Sequence, residues 1–281
     1  MKTKFMQCLA ALALLLSANA AQAAISCSIS SPGFIAGYTS GGAQVITQVS
    51  YSITCTRGLT TDPTTTAYSV KVGNGLNPAG GGKKQAAFGA NRLRYDTYID
   101  SGCATQWRGA TTIPSVPGTI TMVGLTPTTV IQNFWGCIAA LLTPVAGTYT
   151  DTVTLTPTYS AGVSGGSNTF PVTIITPATC TIATIPNITL AYTAFRLTAA
   201  TATTSAPVTC SNNLPYTMAV SPTSGVSAGI NYSLSLPASG TGNGVSQGIT
   251  ITATAPAGQA GTCATGACTG VAQAHTLTVT Y

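Results

Sequence analysis

The chain contains no glutamate, and its only side-chain carboxylates are Asp62, Asp96, Asp100 and Asp151. A single histidine, His275, stands near the C-terminus. So short a supply of acids and bases argues against hydrolytic machinery, which needs a positioned proton donor and acceptor or a nucleophile with an activating partner. Charge of either sign is scarce, with 10 basic and 4 acidic residues among 281. The basic residues are dispersed and only Lys83-Lys84 are adjacent, so no cationic stripe for nucleic acid forms. Beyond Cys180 the one charged side chain is Arg196. Such a surface is solvated by Thr, Ser, Asn and backbone, or covered by another protein.

Long apolar runs are missing after the first residues, and no later stretch approaches the roughly 20 that a membrane-spanning helix requires. No transmembrane segment is expected. At the start, Lys2 and Lys4 precede an apolar run from Leu9 to Leu16 and a small-residue end at Ala21-Gln22-Ala23. This is the pattern of a secretory signal peptide, residues 1–23, whose removal leaves Ala24 first and a product exported through the periplasm. With Lys2 and Lys4 gone, 10 basic residues become 8 against 4 acidic ones, a formal +4.

Cleavage also removes Cys8 and leaves an even set: Cys27, Cys55, Cys103, Cys137, Cys180, Cys210, Cys263 and Cys268. In an oxidising compartment such a set is read as disulfides. Cys263 and Cys268 resemble half a metal site, but no second pair or histidine cluster accompanies them, so a loop-clipping bridge is the better reading. No metal and no cofactor is expected.

Helix-period patterns with caps are absent too. In their place are short alternating runs, among them Gln48 to Thr56, Ala67 to Val72, Leu93 to Ile99, Thr148 to Tyr159, Tyr216 to Val220, Ile230 to Leu236, Ile249 to Ala253 and His275 to Tyr281. Alternation places one face of a strand on a core and the other toward water. Gly and Pro clusters at 74–82, 160–167 and 238–244 punctuate these runs. The fold class is all-β, and the turn spacing suggests two β-sandwiches in preference to a barrel, which periodicity alone does not exclude, the second sandwich lacking its last strand.

That asymmetry comes from an internal duplication. Cys27 and Cys55 enclose 27 residues, Cys180 and Cys210 enclose 29. Each second cysteine is followed by a similar strand, Ala67 to Val72 and Pro215 to Val220, and the run Thr154 to Tyr159 matches Thr276 to Tyr281. By analogy between the halves Cys27 pairs with Cys55 and Cys180 with Cys210, leaving Cys103 with Cys137. Only the first half has a sequel, Asn168 to Thr176, in which Phe170, Val172 and Ile174 share one face. Folded back antiparallel on the Tyr159 strand, these side chains would contribute on the order of 5 to 9 kcal/mol of burial. The competing reading is an extended linker. The second half has no such strand, so its terminal strand, carrying His275, Leu277, Val279 and Tyr281, is expected to expose a groove that accepts an outside strand.

The run Gly147 to Thr156, the Leu93 to Asp100 strand and the Cys27 to Cys55 spacing resemble spore coat protein U domain proteins, a family that includes subunits of archaic chaperone-usher pili. The resemblance implies that an incomplete immunoglobulin-like domain is filled first by a periplasmic chaperone and then by the N-terminal donor strand of the next subunit. Only Ala24, Ile25 and Ser26 precede Cys27, too few for such a strand, so a tip subunit (adhesin) is expected. Its parts are a signal peptide (1–23), an adhesin-like domain (24–167), a donor-like strand and linker (168–176) and a pilin domain (177–281). Further partners implied are an outer-membrane usher and an abiotic or host surface, with attachment and biofilm formation as the outcome. The alternative is a self-complemented secreted coat or matrix protein.

Surface-binding loops are expected around Leu59, Pro63, Ile113, Val116 and Val163. Pro157 weakens the end of its strand. Trp107, Phe134 and Trp135 read as core, and Asp96 and Asp100 as a solvated edge rather than a catalytic dyad. His275, among Thr and Leu, reads as structural or solvent-facing, and no catalytic residue is assigned.

Overall fold

The computed structural model describes residues 25–108, 115–262 and 273–281, all of it strand, turn and loop. The signal-peptide expectation (1–23), Ile113 and the Cys263–Cys268 bridge lie outside the described residues. Strands β1 (Ile25–Ser30), β2 (Phe34–Gly37), β3 (Val45–Arg57), β4 (Thr65–Val72), β5 (Lys84–Phe88) and β6 (Asn91–Tyr98) come first. Then follow β7 (Val116–Thr121), β8 (Thr128–Ile138), β9 (Gly147–Tyr159), β10 (Val163–Gly165) and β11 (Asn168–Thr176). These eleven form one curled sheet, in the order β10-β1-β3-β8-β6-β5-β9-β11-β2, with β4 joining β9 to β7.

The curl closes on a core that both ends of the sheet supply. Ile29, Tyr51, Ile53 and Phe134 come from the β1-β3-β8 side; Val70, Val153, Leu155, Phe170, Val172 and Ile174 come from the β4-β9-β11 side. Trp107 lies between, 5.4 Å from Phe134 and 5.5 Å from Tyr51, its Nε1 donating to Val70 O at 3.1 Å. Alternation explains the choice: β1 reads ISCSIS, buried at every odd position, and β11 buries Phe170, Val172, Ile174 and Thr176. Two disulfides, Cys27–Cys55 and Cys103–Cys137, staple this sandwich.

The remaining strands are β12 (Cys180–Ile182), β13 (Ala200–Cys210), β14 (Pro215–Ser221), β15 (Ser224–Ser227), β16 (Ile230–Ser235), β17 (Ser239–Thr241), β18 (Ser246–Ala255) and β19 (Thr276–Thr280). They form a five-stranded sheet, β12-β13-β18-β16-β15, and a three-stranded one, β17-β14-β19. Cys180–Cys210 ties β12 to β13. The buried side chains here form two small clusters, one around Tyr192, Ala200, Ile230 and Ala255, the other around Val208, Tyr216 and Met218. Among the described residues the continuous core of the first sandwich is not repeated.

Pro157 does not end its strand. β9 runs on to Tyr159, and Pro157 stands opposite Val70, beyond the last β11 partner at Leu155. The missing N–H falls where the β11 ladder has already stopped.

Buried phenols give the molecule an alkaline limit. Burial raises the pKa of Tyr38, Tyr51, Tyr95, Tyr149 and Tyr159, and for Tyr95 the Asp151 carboxylate adds to it. Above about pH 10 the unfolded chain ionises phenols that the folded chain keeps neutral, so stability falls as pH rises. The thermal midpoint should therefore drop between pH 9 and pH 11; an unchanged midpoint would contradict the burial of these phenols.

Candidate functional site

Strand for strand, the two sandwiches correspond: β1 to β12, β3 to β13, β4 to β14, β5 to β15, β6 to β16, β7 to β17, β8 to β18 and β9 to β19, with the same pairings except that the β5–β9 contact at Ala87↔Thr150 has no β15–β19 counterpart among the described residues. The registers agree as well. Ser69, Val70 and Val72 face Thr158, Pro157 and Leu155; Thr217, Met218 and Val220 face Thr280, Val279 and Leu277. Tyr38 and Tyr192 also correspond. Each hydroxyl donates to one carbonyl, Leu142 O or Pro256 O, and accepts from one backbone N–H, Leu142 N or Gln259 N.

The larger difference is β11. In the first sandwich it pairs antiparallel with β9 from Asn168↔Leu155 to Thr176↔Gly147, and parallel with β2 through Val172↔Phe34 and Ile174↔Ala36. Phe170, Val172 and Ile174 are buried to within 1%. In the second sandwich β14 is the one strand that pairs with β19 among the described residues, and the counterpart of β2, residues 188–191, is not a strand. Between them lies a cavity of about 490 Å³. It is lined by Ile185, Ile188, Leu190 and Tyr192, by Leu277 and Val220, and by Ile230, Leu234 and Ile251. Leu277 and Val279 are half-buried, while Tyr281, just past β19, is exposed.

His275, immediately before β19, is half-buried at the same cavity and bridges Tyr232 Oη (2.7 Å from Nε2) and Pro222 O (2.7 Å from Nδ1). Tyr232 donates to Gln273 Oε1 at 2.6 Å. In register, His275 takes the place of Val153 and Gln273 that of Asp151, which accepts from Tyr95 Oη at 2.6 Å. His275 is thus held by two hydrogen bonds at the lining of this cavity.

At the opposite pole of the first sandwich, Arg57 ties two loops together. Its guanidinium donates to Gly124 O (3.3 Å), Asp62 O (2.6 Å) and Thr60 O, and Asp62 Oδ2 accepts from Leu59 N at 2.6 Å. The loops so fixed hold Leu59, Val123 and Leu125 in solvent, with Pro63 exposed beside them. Two expected loop residues are not in loops. Val116 opens β7 opposite Val70, and Val163 opens β10 opposite Ile25; both pack on the core. Val123, missed in the sequence, carries no motif, and only its exposure marks it.

The carboxylates are all engaged. Asp96 is no solvated edge: it is buried, 3.2 Å from Lys84 Nζ and 3.2 Å from Arg108 Nη2, and it accepts from Thr97 N. Its strand alternation is broken there, since Tyr95, Asp96 and Thr97 are all buried. Asp100 accepts from Gly102, Ala104 and Thr105 N, and the Ala104 and Thr105 amides hold its carboxyl below the usual range. Trp107 and Phe134 are core, and Trp135 is half-buried. Among the described residues no three His, Cys, Asp or Glu side chains converge as metal ligands, and no helix is long and apolar enough to cross a membrane.

The sequence matches the Spore Coat Protein U domain over residues 12–156 and 167–245. The chain belongs to the Spore Coat Protein U domain family. The first matched range of this family domain ends within β9 and the second begins just before β11; all of β18 and β19 lie beyond it. Solved structures similar to this family member include the CsuC–CsuE chaperone–tip adhesion subunit pre-assembly complex of Acinetobacter baumannii archaic Csu pili. Its identity is 12%, its TM-score 0.47, and the match covers 90% of this chain and 100% of that one. The CupB6 tip adhesin of Pseudomonas aeruginosa is similar at 12% identity and TM-score 0.39, over 90% and 94% of the two chains. The Escherichia coli adhesin CfaE is similar at 15% identity and TM-score 0.29, over 56% and 49%. No curated protein sequence matches the chain at a significant level.

Proposed function

We propose that this chain is the tip adhesin of a chaperone-usher pilus, joined to its fibre by an outside strand laid beside β19. The observation that carries the reading is the pairing difference between duplicated sandwiches over the stretch in register with β11: residues 151–155 of β9 pair with β11, and their counterparts 273–277 have no such partner among the described residues. An unpaired edge over an apolar cavity is a template for strand addition. The groove residues are neutral, so the incoming strand is an alternating apolar one, like β11 itself. A periplasmic chaperone would fill the groove first and the N-terminal strand of the next subunit afterwards, with an outer-membrane usher as the exit.

Expressed in a periplasm without a chaperone of this class, the full chain should aggregate or be degraded; with one it should be recovered as a one-to-one complex. A stable, soluble monomer obtained without any chaperone would overturn the reading. A self-complemented coat or matrix protein would need a segment of the same chain beside β19, and among the described residues none is there.

The adhesive surface is assigned to the pole held by Arg57. Three aliphatic side chains in solvent on loops pinned by one guanidinium suit contact with an apolar abiotic or host surface. Replacing Leu59, Val123 and Leu125 together by Ser should reduce attachment to polystyrene, and biofilm formation with it, by at least about tenfold, a change worth only about 1.4 kcal/mol. Chaperone binding should be unchanged. Full attachment by the triple variant would remove this pole from the function.

A further inference from the structure

In both sandwiches two loops are zipped together at the pole of the corresponding tyrosine, Tyr38 or Tyr192. In the first, Gly41 N donates to Leu142 O (2.7 Å) and Leu141 N to Gly42 O (2.9 Å). In the second, Phe195 N donates to Gln259 O (2.8 Å) and Gly258 N to Arg196 O (2.9 Å). Phe195 therefore stands where the first sandwich has Gly41, and Gly258 where it has Leu141. Backbone angles agree: φ is 72° at Gly41 and 57° at Phe195, 61° at Leu141 and 77° at Gly258.

In the first sandwich this pole is a docking face for the second. A Cβ on Gly41 would come within 2.8 Å of Gly244 O, so glycine permits the approach. Asn212 Nδ2 donates to Thr143 O at 2.9 Å, and Val145 bridges to Asn212. β11 passes through the same pole, since Tyr38 N donates to Ile175 O at 2.9 Å, and reaches β12 within three residues (177–179). A strand and the body attached to it thus arrive together.

The equivalent pole of the second sandwich is differently dressed. Phe195 is 68% exposed and Leu197 96% exposed, on either side of Arg196. Arg196 lies 5.8 Å from the Tyr192 ring centroid and is the only charged side chain after Cys180. A bulky aromatic in left-handed backbone and in solvent is rare, because its side chain crowds the backbone there. Here the zipped loop holds it outward.

We propose that Phe195, Arg196 and Leu197 are the contact against which the body of the strand-donating subunit seats. The inference rests on the strand-accepting reading above and extends it. A strand filling the groove in the register of β11 leaves it beside Tyr192, at this pole, and the folded body that follows is brought against the loop. The occupant is a second β-sandwich of the same fibre, presenting its own loop face as residues 212 and 244 do here.

The test places a benzophenone photo-crosslinker in the full chain, in cells that assemble the fibre, at position 195 and separately at Thr276, the counterpart of Thr154, which faces β11. Adducts from sheared fibres are then mapped by mass spectrometry. The expected result is one and the same polypeptide at both positions, joined through its N-terminal strand at 276 and through its folded body at 195. Phe195→Gly with Leu197→Ser should leave the chaperone complex intact and lower incorporation into sheared fibres about tenfold, the loss expected for about 1.4 kcal/mol of contact. An adduct at 276 with none at 195, or with a different polypeptide there, would overturn the proposal while leaving the groove in place. So would full incorporation of the double variant. No adduct at 276 would remove the strand reading itself, and this contact with it.

Discussion

Phe170→Ala should lower the stability of the Ile25–Thr176 sandwich by about 3 to 5 kcal/mol. The side chain is fully buried, its ring centroid 5.5 Å from that of Phe134, which in turn contacts Trp107. Removing it opens a cavity in the middle of the one continuous core, on a strand held by a nine-residue ladder to β9. Against a typical domain stability of about 5 to 15 kcal/mol the loss is large. Urea unfolding followed by the emission of buried Trp107 should show the midpoint shift. A loss under about 1 kcal/mol would mean that β11 is dispensable, contrary to a strand that completes its sandwich.

Asp96→Asn should be comparably costly, at about 3 to 5 kcal/mol, because it strands a buried cation. Lys84 is fully buried with its Nζ on Asp96 Oδ1 and Trp107 O, each at 3.2 Å. Burial lowers the Lys84 pKa, and the Asp96 carboxylate acts against that lowering. Between the depressed folded value and the ordinary one near 10.5 the native protein binds fewer protons than the unfolded chain, so stability rises with pH through that window. Losing Asp96 deepens the depression and extends the window downward. The Asp96→Asn variant should therefore gain more stability between pH 7 and pH 9 than the parent does. Lys84→Met with Asp96→Leu should recover much of the loss, since an apolar pair leaves no unpaired charge. If Asp96→Asn is harmless at pH 7, the ion pair does not hold this part of the core.

Much of this was legible before any coordinates. The two-residue period of Phe170, Val172 and Ile174, and the matched cysteine spacings, reflect burial on one face and the Cα geometry of paired strands. They pointed to the strands that the structure contains and to two of the disulfides. The alternation rule failed where side chains take a second role. Asp96 has the parity of an edge residue, yet Lys84 arrives from β5 and Arg108 from the loop beyond Trp107, and no local pattern announces a triad assembled from three segments. Val116 and Val163 sit in turn-rich sequence, yet short strands recruit them opposite Val70 and Ile25. Leu59 was visible as an apolar residue in a polar loop; that Arg57 would tie its loop to Gly124 depends on a contact 67 residues away in sequence. The equivalence of Gly41 and Phe195 was hidden altogether, because backbone hydrogen bonds define it and side chains disguise it.

The open edge leading into β19 can be tested on the full chain by amide hydrogen exchange across 273–277, with and without a synthetic peptide of the Asn168–Thr176 sequence. The expected result is that the outward amides of 273–277 exchange freely in the chain alone and become protected when the peptide is added, while their counterparts 151–155 in β9 are protected throughout. Protection of 273–277 equal to that of 151–155 before any peptide is present would contradict an unfilled groove.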